Sequence, residues 1–445
     1  MDSLSLETTF DRLVTALLDE LHEDEYLTLR LLGEQSQFVR FNQAKVRQAG
    51  CVSDAEVRLT FMQNQRTSSF AFPVTGNWET DWNRGRSALS DLREEVAQLP
   101  ADPYLVLPEG DATSRDVHTG ALLPPEAVVD AILPSVADLD FTGFYAAGSL
   151  VRGYADSIGQ KHWFATESFA LDYSLFTEAG QAVKSTFAGS QWDQSTYTAK
   201  LALARQQLEQ LIQSPKVIPR GQYRTYLAPA AVSELLQMFS WGGLSESSLR
   251  RGGSALRLLQ QGEKRLSTAF HLTENFQRGL VPRFNEWGEV APVKLPLIQA
   301  GQLANTLINS RTAKEYNLTP NGANIRESLR SPEIAPGDLP QSDVLRALDR
   351  GLYVSNLHYL NWSDRPTGRV TGMTRYACFW VEDGEIVAPI QNLRFDESLY
   401  RYFGENLIAL TDFQEFIPEV GTYDHRDLGG SWVPGALVEA FTYTL

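Results

Sequence analysis

Cysteine, methionine and histidine are scarce in this chain: two, four and six among 445 residues. Cys51 and Cys378 lie far apart, and neither has a second Cys or a His at metal-finger spacing. That argues against a disulfide framework and a zinc finger. So few thiols suit a reducing compartment, and the cytoplasm is the expected location. Basic charge is also short. Against 39 Lys and Arg stand 55 Asp and Glu, a formal net charge of −16. Nucleic acid and anionic lipid repel such a chain, so neither is expected as a partner. No apolar run approaches the roughly 18 residues that a membrane span needs. The opening residues, MDSLSLETTFDRL, lack a basic segment followed by an apolar one, so no secretory signal is expected. There are no internal repeats and no low-complexity segments. Glycine-rich nucleotide-binding motifs and a nucleophile elbow are missing as well.

What remains is long enough for two or three domains and a sizeable core. Phe10, Leu13, Val14, Leu17, Leu18 and Leu21 repeat at helical spacing and predict a helix over 8–22. Strands are expected near 25–32, 36–41, 44–50, 54–63 and 66–72. In the first of them Leu27, Leu29 and Leu31 alternate with Tyr26, Thr28 and Arg30, the period of a half-buried strand. Helices follow at 81–99 and 124–133. The chain from 141 to 189 is strand-like again, with turns at Ser157–Gln160 and Glu178–Gly180. A long helix over 195–213 is stopped by Ser214-Pro215. This order of elements predicts an α+β domain ending near 215.

Beyond it, a strand at 223–227 precedes a helix at 230–241, which Gly242-Gly243 ends. Residues 245–260 read as part loop, part helix. Strands are expected at 295–298 and 303–308, and 321–340 reads as a mobile loop. From Gly351 to Phe403 short β-type runs alternate with turn chemistry. Leu352–Leu360 and Tyr376–Glu382 are strands, Asp364–Gly368 is a turn, and Asp383-Gly384 signals a hairpin into Ile386–Ile390. A short helix is expected from Asp396 to Phe403.

In order along this stretch, Asn361-Trp362, Thr367-Gly368, Thr371 to Arg375, Glu382 to Val387 and Asn392 to Phe395 resemble the C-terminal domain of the TldD/PmbA family. That family contains bacterial and archaeal metallopeptidases and their partner subunits. Further matching stretches are Val39–Asn42 with Lys45-Val46, Gly279–Phe284, Leu297–Leu303, Ser310–Lys314 and Ala335–Asp338. The resemblance implies an N-terminal α+β domain over 1–215, with an antiparallel sheet and helices. It implies a β-rich C-terminal domain over 216–445, closed like a barrel.

The catalytic branch of the family carries a zinc helix, L-L-H-E-x-x-G-H-G-L, and a third ligand, a Cys, shortly before a V-P or L-P pair. Two His, one Cys and a Glu base are the donors that hydrolytic zinc requires. Here the helix reads Leu235 to Leu244. Gln237 stands at the first His, Met238 at the Glu and Gly242 at the second His. Before Val433-Pro434 the chain reads Tyr423-Asp424-His425-Arg426-Asp427, without Cys. No catalytic residue, metal or cofactor is therefore expected. The departure resembles the TldE/PmbA branch, which lacks the zinc motif. The implied role is that of a zinc-free subunit of a peptide-processing metallopeptidase. Its partner would be a TldD-like zinc-bearing paralogue in a heterodimer, or a second copy in a homodimer. Asn361, Trp362 and Arg375 flank turns in the best-matched stretch and are expected to line a peptide cleft. The apolar strand Val433–Leu445, otherwise an exposed edge, is expected to carry a dimer interface.

Other residues read more plainly. His425 with Asp424 and Asp427 is a solvated cluster. His358 is a satisfied core or cleft histidine, Cys378 a packed thiol, and Arg250-Arg251 a solvated pair. Two alternatives stay open: a stand-alone peptide-binding or scaffold protein without proteolytic activity, and a hydrolase built on other residues.

Overall fold

The computed structural model describes residues 3–444. The chain opens with α1 (Ser3–Leu18), β1 (Tyr26–Asn42), β2 (Lys45–Gln63) and β3 (Arg66–Pro73). It continues through α2 (Trp78–Val96), β4 (Thr113–His118), α3 (Val128–Ile132), β5 (Asp140–Asp156), β6 (Lys161–Phe176), β7 (Ala182–Gly189) and α4 (Gln194–Leu211). The strands form one sheet in the order β3-β2-β1-β5-β6-β4, with β7 also on β6. Every pairing is antiparallel except β4 on β6.

Alternation gives this sheet two different faces. On one, Leu27, Leu29 and Leu31 pack with Val57, Leu59 and Phe61 under α1 and α2. Farther along the same face, Phe141, Tyr145 and Leu171 pack beneath α3 and α4. The opposite face carries Arg30, Glu34 and Ser36, and there the last part of the chain lands.

The second half adds β8 (Gly221–Leu227), α5 (Pro229–Ser240), α6 (Glu246–Arg250), α7 (Arg257–Gln260), β9 (Leu272–Asn275), β10 (Lys294–Gln299), β11 (Gln302–Leu303), α8 (Ser310–Tyr316) and β12 (Pro332–Ile334). Then come α9 (Val344–Leu348), β13 (Gly351–Asp364), β14 (Arg369–Glu382), β15 (Glu385–Pro389), β16 (Arg394–Ser398), β17 (Leu407–Leu410), β18 (Glu415–Pro418), β19 (Gly430–Val433) and β20 (Ala436–Tyr443). Strands β13-β8-β20-β16-β14 run in sequence, and β14 pairs back onto β13, so five strands close a barrel. Leu227, Val354, Val370, Phe395 and Phe441 belong to the core it shares with α5. A second, six-stranded sheet runs β11-β10-β9-β12-β19-β18. The class is therefore α+β, with the barrel that the resemblance implied. Asp383 and Gly384 both have positive φ (54° and 76°), as a two-residue hairpin turn between β14 and β15 requires.

Several expectations need correction. The first helix spans 3–18, not 8–22; beyond it Arg93 bonds the Glu20 carbonyl (2.6 Å) and the Glu25 carboxylate (2.8 Å), holding that segment outside the helix. The polar stretch Gly33–Ser36 is no turn. It is paired on both sides, to Ala55–Val52 and to Val151–Gly148, so 25–32 and 36–41 are one strand. Of the expected strand 303–308 only Leu303 is in a strand, the two-residue β11 that it forms with Gln302. The helix expected from Asp396 starts instead as β16, because buried Glu397 turns inward to accept bonds from Thr442 N (3.1 Å) and Oγ1 (2.6 Å). Residues 321–340 are not a free loop. Glu327 is buried and takes bonds from Ser245 and Ser247, and the Arg330 guanidinium binds the carbonyls of Pro282, Arg283, Phe284 and Gly322. The last strand is not an edge: β20 sits in the barrel wall between β8 and β16. Leu445, the end of that stretch, lies outside the described residues.

Candidate functional site

Helix α5 begins with Pro229 at its first turn, where a missing N–H costs nothing. Leu235, Leu236, Met238 and Phe239 face the core. The helix stops at Ser240. Trp241 leaves the helical region, and Gly242 takes φ +78°, conformational freedom that glycine supplies. The three zinc-motif positions therefore part company. Gln237 is exposed, Met238 is 3 % exposed and packed in the core, and Gly242 lies beyond the helix with no donor.

The Gln237 amide reaches the C-terminal segment, donating Nε2–H to Glu419 Oε1 at 2.8 Å. Solvent reaches Glu419, but the protein surrounding it lifts its carboxyl above the usual range, and the Asp427 carboxylate adds to this. Helix α5 also meets β19 through Ser233 Oγ and Ser431 Oγ, 2.8 Å apart. The segment that would carry a third ligand thus does come to the end of α5. The residues present do not fit a zinc ion. Gln237 is engaged with Glu419, the Met238 thioether is buried, and Gly242 has no side chain. No group of three His, Cys, Asp or Glu suited to a metal occurs among the described residues.

Arg426, just beyond His425, is the most heavily bonded residue of this segment. It is buried, and its backbone N–H donates to Glu34 Oε2 (2.8 Å). Its guanidinium donates to Ser36 Oγ (3.1 Å), the Gly148 carbonyl (3.5 Å), and the carbonyl and Oγ of Ser168 (3.1 and 3.0 Å). One side chain therefore ties the last part of the chain to β1, β5 and β6.

Of the three expected cleft residues, two lie beside α5. Asn361 accepts a bond from Trp362 N (2.8 Å), and Trp362 Nε1 donates to the Trp241 carbonyl (3.4 Å). The Arg365 guanidinium covers both indoles, 5.5 Å from the Trp241 ring and 5.8 Å from that of Trp362. Trp241, half exposed, completes this cap. Arg375 lies farther down the barrel wall, opposite Asn356 and over Tyr376. The structure does not bring it to the other two.

His358 is exposed rather than cored. A bulge between His358 and Asn361, with Tyr359 at φ +59°, turns this part of β13 outward. Cys378 is buried, which pushes its thiol up, and it lies opposite Val354 whereas His358 lies opposite Met373. They form no nucleophilic pair. Arg250 is bonded to Glu246 at 2.7 Å. Glu419, Trp241 and Arg365 escaped the sequence reading, since nothing local marks them. The even-numbered polar residues of β1 were legible as one face, but not as the surface that Arg426 grips.

A long, mostly antiparallel sheet followed by a closed five-stranded barrel makes a mixed α+β fold of the PmbA/TldD kind. The comparisons agree. Residues 220–444 match the model of the PmbA/TldA metallopeptidase C-terminal domain, and the chain belongs to this family. No curated protein matches it. Among solved structures, a protein described as a modulator of a DNA gyrase from Thermotoga maritima superposes with a TM-score of 0.77 at 15% identity, covering 99% of this chain and 100% of the other. TldE from Thermococcus kodakarensis gives 0.76 at 14%, covering 98% and 100%. A protein described as a modulator of DNA gyrase from Bacteroides thetaiotaomicron gives 0.77 at 16%, covering 98% of each chain. At these identities the likeness is one of fold.

Proposed function

We propose that this chain is a zinc-free, TldE/PmbA-like subunit of a peptide-degrading or peptide-processing metallopeptidase. The observation that carries the reading is the state of the zinc-helix positions: an amide held by Glu419, a thioether in the core and a glycine past the helix end. A TldD-like paralogue would supply zinc and base, in a cytoplasmic heterodimer. This chain would form part of the substrate cavity. Residues 1–215 and 216–445 are taken as its two domains. Asn361, Trp362 and the Trp241–Arg365 cap are the surface offered to peptide, with Arg375 on the wall beyond. No helix of the described residues is long and apolar enough to cross a membrane.

The test is co-expression with a zinc-bearing paralogue, followed by size-exclusion chromatography and a peptide-cleavage assay. A co-eluting pair that cleaves, with zinc only in the paralogue, is the expected result. Stoichiometric zinc in the isolated tag-free chain, or cleavage by it alone, would overturn the reading.

A further inference from the structure

Three arginines share the polar face of the long sheet. Arg30 of β1 lies directly opposite Arg58 of β2. Arg152 of β5 lies one row on, opposite Leu32. All three line a cavity of about 420 Å³, and Asp424 and His425 of the C-terminal segment line it too. Like charges directly opposed across a ladder are destabilising.

Their partners are few. Among the described residues the Arg30 guanidinium has no hydrogen bond or ion pair, only more distant charges such as Glu286. Arg152 has one bond, from Nη1 to the neighbouring Val151 carbonyl at 2.8 Å. Arg58 stands 3.7 Å from Glu56. Burial and the charge of Arg30 bring Arg152 down to about 10. Burial, with Arg58 adding to it, lowers Arg30. Arg30 and Arg152 are half-buried along the cavity wall, and a guanidinium partly withdrawn from water without a protein acceptor is costly. Carboxylates relieve it only in part: Glu286 and Glu56 act on Arg30, and Glu34 and Asp427 on Arg152, as charges without a hydrogen bond to either guanidinium. Glu34 holds the Arg426 N–H, and Asp54 lies opposite Glu34, one row beyond Arg152.

We propose that this cavity is an oxyanion site in which the paired forks of Arg30 and Arg152 clamp a carboxylate or a phosphate. Planar guanidinium forks match both anions bidentately. The identification of the anion as the C-terminal carboxylate of a short peptide, with its ammonium toward Asp54 and Asp424, rests on the peptide reading above. The anion site itself does not.

Calorimetry on the full chain, without any paralogue, tests the site with trialanine, trialanine amide and inorganic phosphate. Trialanine binding that is lost with the amide supports a peptide carboxylate. Phosphate binding without trialanine binding keeps the oxyanion site and changes the source. Binding of neither, or equal binding of trialanine and its amide, overturns the proposal, whatever the outcome with the zinc-bearing paralogue. Arg30→Gln and Arg152→Gln are expected to weaken binding at least about tenfold. They are also expected to leave the melting temperature of the unliganded protein unchanged or higher, since they remove uncompensated like charges. A lower melting temperature with unchanged binding overturns the proposal. If both fall, Arg152→Lys decides. Weaker binding at the parental melting temperature supports the fork, and parental binding overturns it.

Discussion

The two faces of β1 are built from the same seventeen residues and hold the molecule together in opposite ways. The odd face, Leu27, Leu29 and Leu31, is at most 1 % exposed and needs only apolar neighbours under α1 and α2. Such burial is non-directional and tolerant of sequence. The even face holds Arg30, Glu34 and Ser36, and each bond there needs a particular partner arriving from the C-terminal segment. The lesson is a division of labour within one strand. Hydrophobic burial holds the sheet on one side, while directional polar contacts on the other decide what may dock.

Substitutions should separate the two faces. The largest effect is expected on the apolar side: Leu29→Ala should cost about 2–5 kcal/mol in urea unfolding, from lost burial plus a cavity. If it costs as little as a surface change, the odd face is not where stability lies. Arg426→Ala should cost about 2–3 kcal/mol and strip Ser36, Gly148 and Ser168 of partners, while the backbone bond to Glu34 is kept. Limited proteolysis should then cut first near residues 419–428, with the barrel intact. Cutting elsewhere first would mean that Arg426 is not the tie.

Smaller still is a pH effect at the same boundary. Glu289 lines a cavity of about 760 Å³ against Thr28 and Tyr154 of the even side. Burial, with the Glu286 and Glu109 charges adding to it, pushes its carboxyl up to about 7, although an Asn285 bond works the other way. The folded state then binds a proton that the unfolded state has released between about pH 4.5 and 7. Stability from this group is full below that window and is lost as pH rises through it. Glu289→Gln should flatten the slope and add on the order of 1–2 kcal/mol at pH 8. An unchanged slope in melting temperature against pH would show that another group carries it. Gln237→Ala should do least, under about 1 kcal/mol, because Gln237 is exposed and makes one bond.

Much of the fold was legible because period speaks for burial. Leu27, Leu29 and Leu31 announced a half-buried strand, and the turns after Asp156 and Phe176 fell where glycine and polar residues cluster. Helix α5 was legible too, expected at 230–241 and found at Pro229–Ser240. Boundaries failed where a distant partner decides them: Arg93 ends α1, and Thr442 draws Glu397 into a strand. The candidate site was legible only in part. Asn361 and Trp362 do come together beside α5, whereas the partners of Gln237 and Arg426 lie 182 and as many as 392 positions away. No local pattern encodes such pairs.

The barrel closure has a consequence for synthesis. Tyr226 of β8 pairs with Leu437 of β20, and β16 meets β20 at Tyr443. During translation the sheet of β1–β7 can assemble once α4 has emerged. The barrel must wait for the final strand, leaving β8 and β16 with unpaired edges in the meantime. A ribosome stalled before β20 has emerged would therefore hold an assembled sheet beside an open, adhesive half-barrel. The C-terminal strand works as the last stave, and its arrival marks the moment when the chain stops being prone to aggregation.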